Sequence, residues 1–90
     1  MRRITQTASF RREYKLQRRR GKQMSKLDLV VAHLVRDGAL ELSYKPHKLG
    51  GEWSGHLECH IESDWLLIYK VDNTKVSLAR TGTHHDLFGK

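Results

Sequence analysis

Apolar positions recur along the chain with two different periods, and the change of period divides it into helices and strands. Ile4, set among Thr and Arg, predicts a short strand over residues 2–7. Phe10 and Tyr14 are four apart and share one face of a helix predicted over 8–20, which Gly21 ends. Met24, Leu27, Val30 or Val31, Leu34 and Val35 follow the helical period and predict a second helix over 25–37. Ser25 followed by Asp28 resembles a capping box, and Met24 is placed to staple onto Leu29. Gly38 is a C-terminal stop. Pro46, Gly50 and Gly51 make residues 43–53 a loop.

Beyond that loop the period shortens to two. Leu57, Cys59 and Ile61 alternate with His56, Glu58 and His60, so the first set faces a core and the second faces out. Residues 65–71 are apolar on both faces and read as a central strand. Asp72-Asn73-Thr74 is turn chemistry, and 75–81 alternates again with Val76 and Leu78 inward. The order β-α-α-β-β-β predicts an α+β domain, two N-terminal helices packed on a mostly antiparallel four-stranded sheet.

Composition narrows the class. Ninety residues, 38% hydrophobic and 30% charged, make one globular domain over 1–90. No run of 18 apolar residues exists to cross a membrane, and the first residues lack the apolar core of a secretory signal. The single cysteine, Cys59, makes no internal disulfide, and together these features lead us to expect a cytoplasmic protein. The charge is uneven. Residues 1–26 carry ten basic side chains and one acid, while 27–90 carry seven basics and nine acids. The surplus gathers at Arg11, Arg12, Lys15, Arg18, Arg19, Arg20 and Lys22, where it makes either a solvated helix surface or a patch for a polyanion.

Six histidines are many for ninety residues. A structural metal is not expected. Cys59 and His60 point to opposite faces of their strand, and His56 and His60 lie roughly 13 Å apart along it. Cys59 shares the parity of Leu57 and Ile61, which makes it a buried thiol rather than a nucleophile. A third reading is metal-free acid–base catalysis on RNA, set against histidines that are merely solvated surface residues. One group takes the 2′-OH proton, another protonates the departing 5′-oxygen, and cations offset the phosphate charge. Histidine suits both proton transfers.

Three blocks sharpen this picture. His47-Lys48-Leu49-Gly50-Gly51-Glu52-Trp53-Ser54-Gly55 fits H-x-L-x-G-x-W-x-G. His60 to Trp65 fits H-x-x-x-D-W ahead of an apolar strand. Arg80-Thr81-Gly82-Thr83-His84 with Leu87-Phe88 fits R-T-G-[ST]-H-x-x-L-F. With these three blocks in order, the chain from Tyr44 to Phe88 resembles the YafQ-type toxins of the RelE/ParE superfamily. The resemblance implies a microbial-RNase-like sheet and a ribosome-dependent endoribonuclease that cuts mRNA in the A site. It also implies a cognate antitoxin as partner and no metal or cofactor.

On this resemblance the catalytic positions are His47, His60, Asp64 and His84. His84 is expected as general acid, His60 with Asp64 at the 2′-OH, and His47 at the phosphate or sharing the proton transfer. Trp65 and Phe88 are expected against a base and Arg80 near the phosphate. The basic residues from Arg11 to Lys22 become rRNA contacts. A ParE-like toxin that binds a non-RNA target such as gyrase, or a non-catalytic RNA-binding protein, remains the alternative.

Overall fold

The computed structural model describes residues 1–89. Strand β1 (Arg3–Gln6) leads into helix α1 (Ala8–Arg19) and helix α2 (Met24–Asp37). Four strands follow, β2 (His47–Lys48), β3 (Leu57–Glu62), β4 (Trp65–Val71) and β5 (Lys75–Gly82), and then a short helix, α3 (His84–Phe88). Among the described residues the strands form one sheet in the order β1-β5-β4-β3-β2.

This corrects the expected four-stranded sheet. The fifth strand is β2, two residues long, inside the segment read as loop. Its pairing opposite Glu58 and Leu57 comes from the neighbouring strand rather than from local propensity. Single 3₁₀ turns at Leu42–Tyr44 and Gly51–Trp53 flank it. The sheet is also mixed, since β1 runs parallel to β5 while the other pairs are antiparallel.

The apolar face of β3, β4 and β5 packs against the helices. Cys59, Trp65, Leu67, Tyr69, Val76 and Leu78 meet Phe10 of α1 and Leu27, Val30, Val31 and Leu34 of α2. Burying each large side chain stabilises the fold by about 1.5–3 kcal/mol. Gly38 ends α2 at φ 73°, a left-handed conformation that glycine adopts without strain. The start of α2 departs from expectation. Gln23 is the N-cap with no side-chain bond, so Ser25 already lies inside the helix. Asp28 instead accepts the Tyr14 hydroxyl at 3.0 Å, and Leu29 is exposed rather than stapled.

Thr7 joins α1 to the sheet. Its hydroxyl accepts the Phe10 N–H at 2.9 Å as a helix cap and donates to the Ala79 carbonyl at 2.6 Å. From that point α1 continues along the part of β5 that β1 leaves unpaired. Glu13 accepts the Thr81 backbone N–H at 3.2 Å, so a side chain closes the ladder where a strand would otherwise be needed.

Two register shifts decide which residues face outward. Arg80 has the same parity as Val76 and Leu78, and simple alternation would drive it into the core. An irregularity between Tyr69↔Leu78 and Ile68↔Arg80 turns Arg80 to the outer face and Thr81 inward. A second shift follows His60, which lies opposite Leu66. The face away from the helices therefore carries His47 and Glu58 as a cross-strand pair, then His60, Leu66, Ile68 and Arg80.

Candidate active site

Three histidines from three elements line up on this outer face. His47 on β2 and His60 on β3 have ring centroids 6.2 Å apart, and His60 and His84 at the start of α3 are 5.8 Å apart. Each ring is oriented by an acceptor at Nδ1. For His47 it is the Lys45 carbonyl at 2.8 Å, and for His60 the Ser63 carbonyl at 3.3 Å. For His84 it is the Asp64 carboxylate at 2.6 Å. An acceptor at Nδ1 requires the proton there. Nε2 of His60 and of His84 makes no hydrogen bond among the described residues and is available to a substrate.

Asp64 serves His84 twice. Its Oδ1 accepts the His84 backbone N–H at 2.9 Å as well as the ring N–H. Those two bonds, the backbone one foremost, hold the Asp64 carboxyl below the usual carboxylate range. This changes one expectation from sequence, which put Asp64 with His60. The turn between β3 and β4 aims the carboxylate at α3 instead.

The His84 turn is built locally. Thr83 caps α3 by accepting the Asp86 N–H at 3.0 Å, and Asp86 returns the bond to the Thr83 N–H at 2.9 Å. Asp86 also receives the Arg20 guanidinium at 2.6 Å, which is the main reason its carboxyl titrates far below the ordinary range. Gln17 of α1 donates to it at 3.4 Å. A side chain at Gly82 would meet the Asp86 Cβ at 2.8 Å, so the glycine lets α3 fold back on β5.

The other site residues predicted from sequence divide. Phe88 lies one turn beyond His84 on α3 with its ring exposed. Trp65 is fully buried beneath the site, its indole N–H bonded to the Thr81 hydroxyl at 3.0 Å. In this structure its ring therefore presents no face to a base. Lys22 sits 5.6 Å above that ring and 3.5 Å from Glu62. Arg80 is held by Glu13, with Nε and Nη2 contacts of 2.6–2.9 Å. It shares the outer face but is first an ion-pair partner of α1. Arg11, Arg12, Lys15, Arg18 and Arg19 are exposed. Arg20 is tied to Asp86 and Lys22 to Glu62, so these two differ from the other five of the basic set.

Sequence reasoning missed Glu58, Glu13 and Asp86. Glu58 was expected in water but is buried against His47, 3.2 Å from its Nε2. Asp86 had a readable signal, since Thr83-x-x-Asp86 is a capping pattern. His56, also expected in water, is half-buried with its ring edge-on to Trp53. Cys59 is buried as expected, and burial pushes its thiol up to about 12. Beside His60 lies an open cleft of about 410 Å³ lined by Tyr44, Lys45, Glu62 and Ser63 among others. Among the described residues no group of three or more His, Cys, Asp or Glu side chains is disposed to hold a metal ion.

A helix pair packed on a small mixed sheet is a fold shared with solved bacterial toxins. The Escherichia coli DinJ–YafQ complex contains a chain that superposes with a TM-score of 0.90 at 38% identity, covering 99% of this chain and 100% of that one. A metal-bound toxin from Helicobacter pylori superposes at 0.88 with 31% identity, covering 98% of this chain and 100% of that one. The mRNA interferase toxin YafQ of Escherichia coli (strain K12) is 38% identical over 87 residues, 96% of this chain and 95% of its own length. A family model described as bacterial toxin of type II toxin-antitoxin system, YafQ, matches residues 2–89. The chain belongs to the YafQ family of type II toxins.

Proposed function

We propose that this toxin is an endoribonuclease that cleaves mRNA on the ribosome by histidine acid–base chemistry. The observation that carries the reading is the row of His47, His60 and His84, with the Nδ1 protons fixed by acceptors and two Nε2 atoms free. The relative named an mRNA interferase supports the same activity for this chain.

The reaction follows from the donor inventory. His60, with its proton on Nδ1, has a lone pair on Nε2 and takes the proton of the 2′-OH. The 2′-oxygen attacks the adjacent phosphorus, and the bond to the 5′-oxygen breaks. His84, carrying a second proton on Nε2, gives it to that leaving oxygen. Asp64 on the other ring nitrogen steadies the charged ring before transfer. A 2′,3′-cyclic phosphate and a free 5′-OH result, and the protons balance. Phe88 on α3 offers its exposed ring to a base, and the cleft beside His60 has room for a nucleotide.

Ribosome dependence fits the separation of charge. The active face holds Glu58 and Asp64, while the exposed cations lie on α1. Docking on rRNA through α1 would bring mRNA to a face that attracts it weakly by itself. Action on the ribosome would place the protein in the cytoplasm. Among the described residues no helix is long and apolar enough to cross a membrane. A cognate antitoxin is the expected partner, by likeness to the toxin solved with DinJ and to the Staphylococcus aureus YoeB–YefM complex.

The test is induction in growing cells of the wild type and of His84→Ala, with mRNA 5′ ends mapped. New in-frame cuts that fall by about a hundredfold or more in the variant are expected. Purified toxin on translating ribosomes is expected to keep cutting after transition metals are chelated. Growth arrest without cuts would instead mean a toxin that acts by binding another target.

A further inference from the structure

Glu58 occupies a strand position that alternation assigns to water, yet only 5% of the residue is exposed. Register sets it directly opposite His47, and its Oε1 lies 3.2 Å from His47 Nε2. Its Oε2 is buried and has no hydrogen-bond partner among the described residues. A carboxylate withdrawn this far from water is strongly disfavoured without an opposite charge.

The neighbours leave one source for that charge. Across β4 the facing residue is Ile68. Beyond it Arg80 shares the outer face, but its guanidinium is taken by Glu13. Along β3, the Cys59 thiol is held protonated and neutral by burial. The His56 Nδ1 is buried without a partner. His60 directs its Nδ1–H to the Ser63 carbonyl. The ion pair with His47 is the one Glu58 makes among the described residues.

The ring of His47 gives the complementary count. Its Nδ1 is 2.8 Å from the Lys45 carbonyl and its Nε2 faces Glu58. With its proton on Nδ1, a neutral imidazole would turn the Nε2 lone pair toward a carboxylate oxygen 3.2 Å away, which is repulsive at that ion-pair distance. The ring that fits both contacts carries both protons.

We propose that Glu58 is a positioning residue that holds His47 as a doubly protonated imidazolium, a fixed cation beside the reacting phosphate. His47 then does not accept a proton during the reaction, and proton transfer is divided between His60 and His84. The proposed role at the phosphate rests on the nuclease reading above, whereas the protonation of His47 stands on its own contacts.

Two measurements on the same variants test it. Ring ¹⁵N spectra of the free protein at neutral pH report both protons on His47 directly. The wild type is expected to show both, Glu58→Gln to show one, and Glu58→Asp, which keeps the charge, to show both again. Cleavage of translated mRNA is expected to fall about tenfold or more in Glu58→Gln and to recover in part in Glu58→Asp. Amide spectra of each variant report folding. If the Gln variant does not fold, the wild-type and Asp spectra decide the protonation, and the Asp variant alone carries the cleavage comparison.

A neutral His47 in the wild type, with the shared proton on Glu58, overturns the proposal. So does the same ring pattern in wild type and Glu58→Gln. Loss of a ring proton with unchanged cleavage overturns the role at the phosphate. If the wild type cuts no RNA, the nuclease reading fails together with that role, and the ring spectra still decide the protonation.

Discussion

Asp86 shows how a single carboxylate sets the position of a side chain it never touches, the His84 imidazole proposed as general acid. It closes the capping box at Thr83, receives Arg20 at 2.6 Å, and so fixes the turn that presents His84. The Arg20 guanidinium is the first cause of its depressed titration, and the Thr83 backbone N–H adds to it. A carboxyl whose folded pKa lies below its unfolded value, about 3.9, stabilises the fold above that value. The contribution is lost as pH falls through the folded pKa. The wild type is therefore expected to be more stable than Asp86→Asn from neutral pH down to about pH 5, with the gap closing below about pH 4. Urea midpoints of both proteins across that range check it, and a gap that widens in acid would contradict it. The same four-residue pattern occurs at Ser25-x-x-Asp28, where no box forms. Helix α2 begins two residues too early there, with Gln23 rather than Ser25 as N-cap, and Asp28 finds Tyr14 instead. A capping motif is thus readable in sequence, but whether it is used depends on where tertiary packing starts the helix.

Helix α1 joins two roles on different faces. Glu13, Gln17 and the adjoining Arg20 turn inward, to Thr81, Arg80 and Asp86, and hold β5 and α3 in place. Arg11, Arg12, Lys15, Arg18 and Arg19 fall within about a third of the helix circumference and are exposed. The basic run was legible in sequence as one patch, and the ion pairs divide it. Replacing Arg18 and Arg19 by Gln is expected to weaken ribosome binding and to lower its salt dependence by about one unit of slope per lost phosphate contact. Folding should be unaffected. Arg20→Gln is expected to lower stability as well, since it releases Asp86. Binding isotherms at several salt concentrations, with melting curves alongside, separate the two behaviours. The strands carry a similar lesson. Period-two alternation located β3, β4 and β5, but it could not reveal the register shifts that turn Arg80 out and Thr81 in.

At the scale of the molecule, one core supports everything on the outer face. Leu67 on the central strand is fully buried among residues of both helices and three strands. Leu67→Ala is expected to cost about 2–5 kcal/mol of unfolding free energy, read by denaturant titration, with the histidine contacts intact in whatever fraction remains folded. The sequence by itself determined the α+β class, both long helices, the three principal strands and the outward side of His60. Periodicity is a local property, and the H-x-x-x-D-W and R-T-G-T-H spacings survive without knowledge of neighbours. Only the tertiary structure decided the fifth strand, the partner of Asp64, the burial of Trp65 and Glu58, and the division of the basic patch. Each of these depends on which group arrives from a distant part of the chain. A two-residue strand exists because β3 offers it a ladder, and a carboxylate takes the nearest donor that folding delivers.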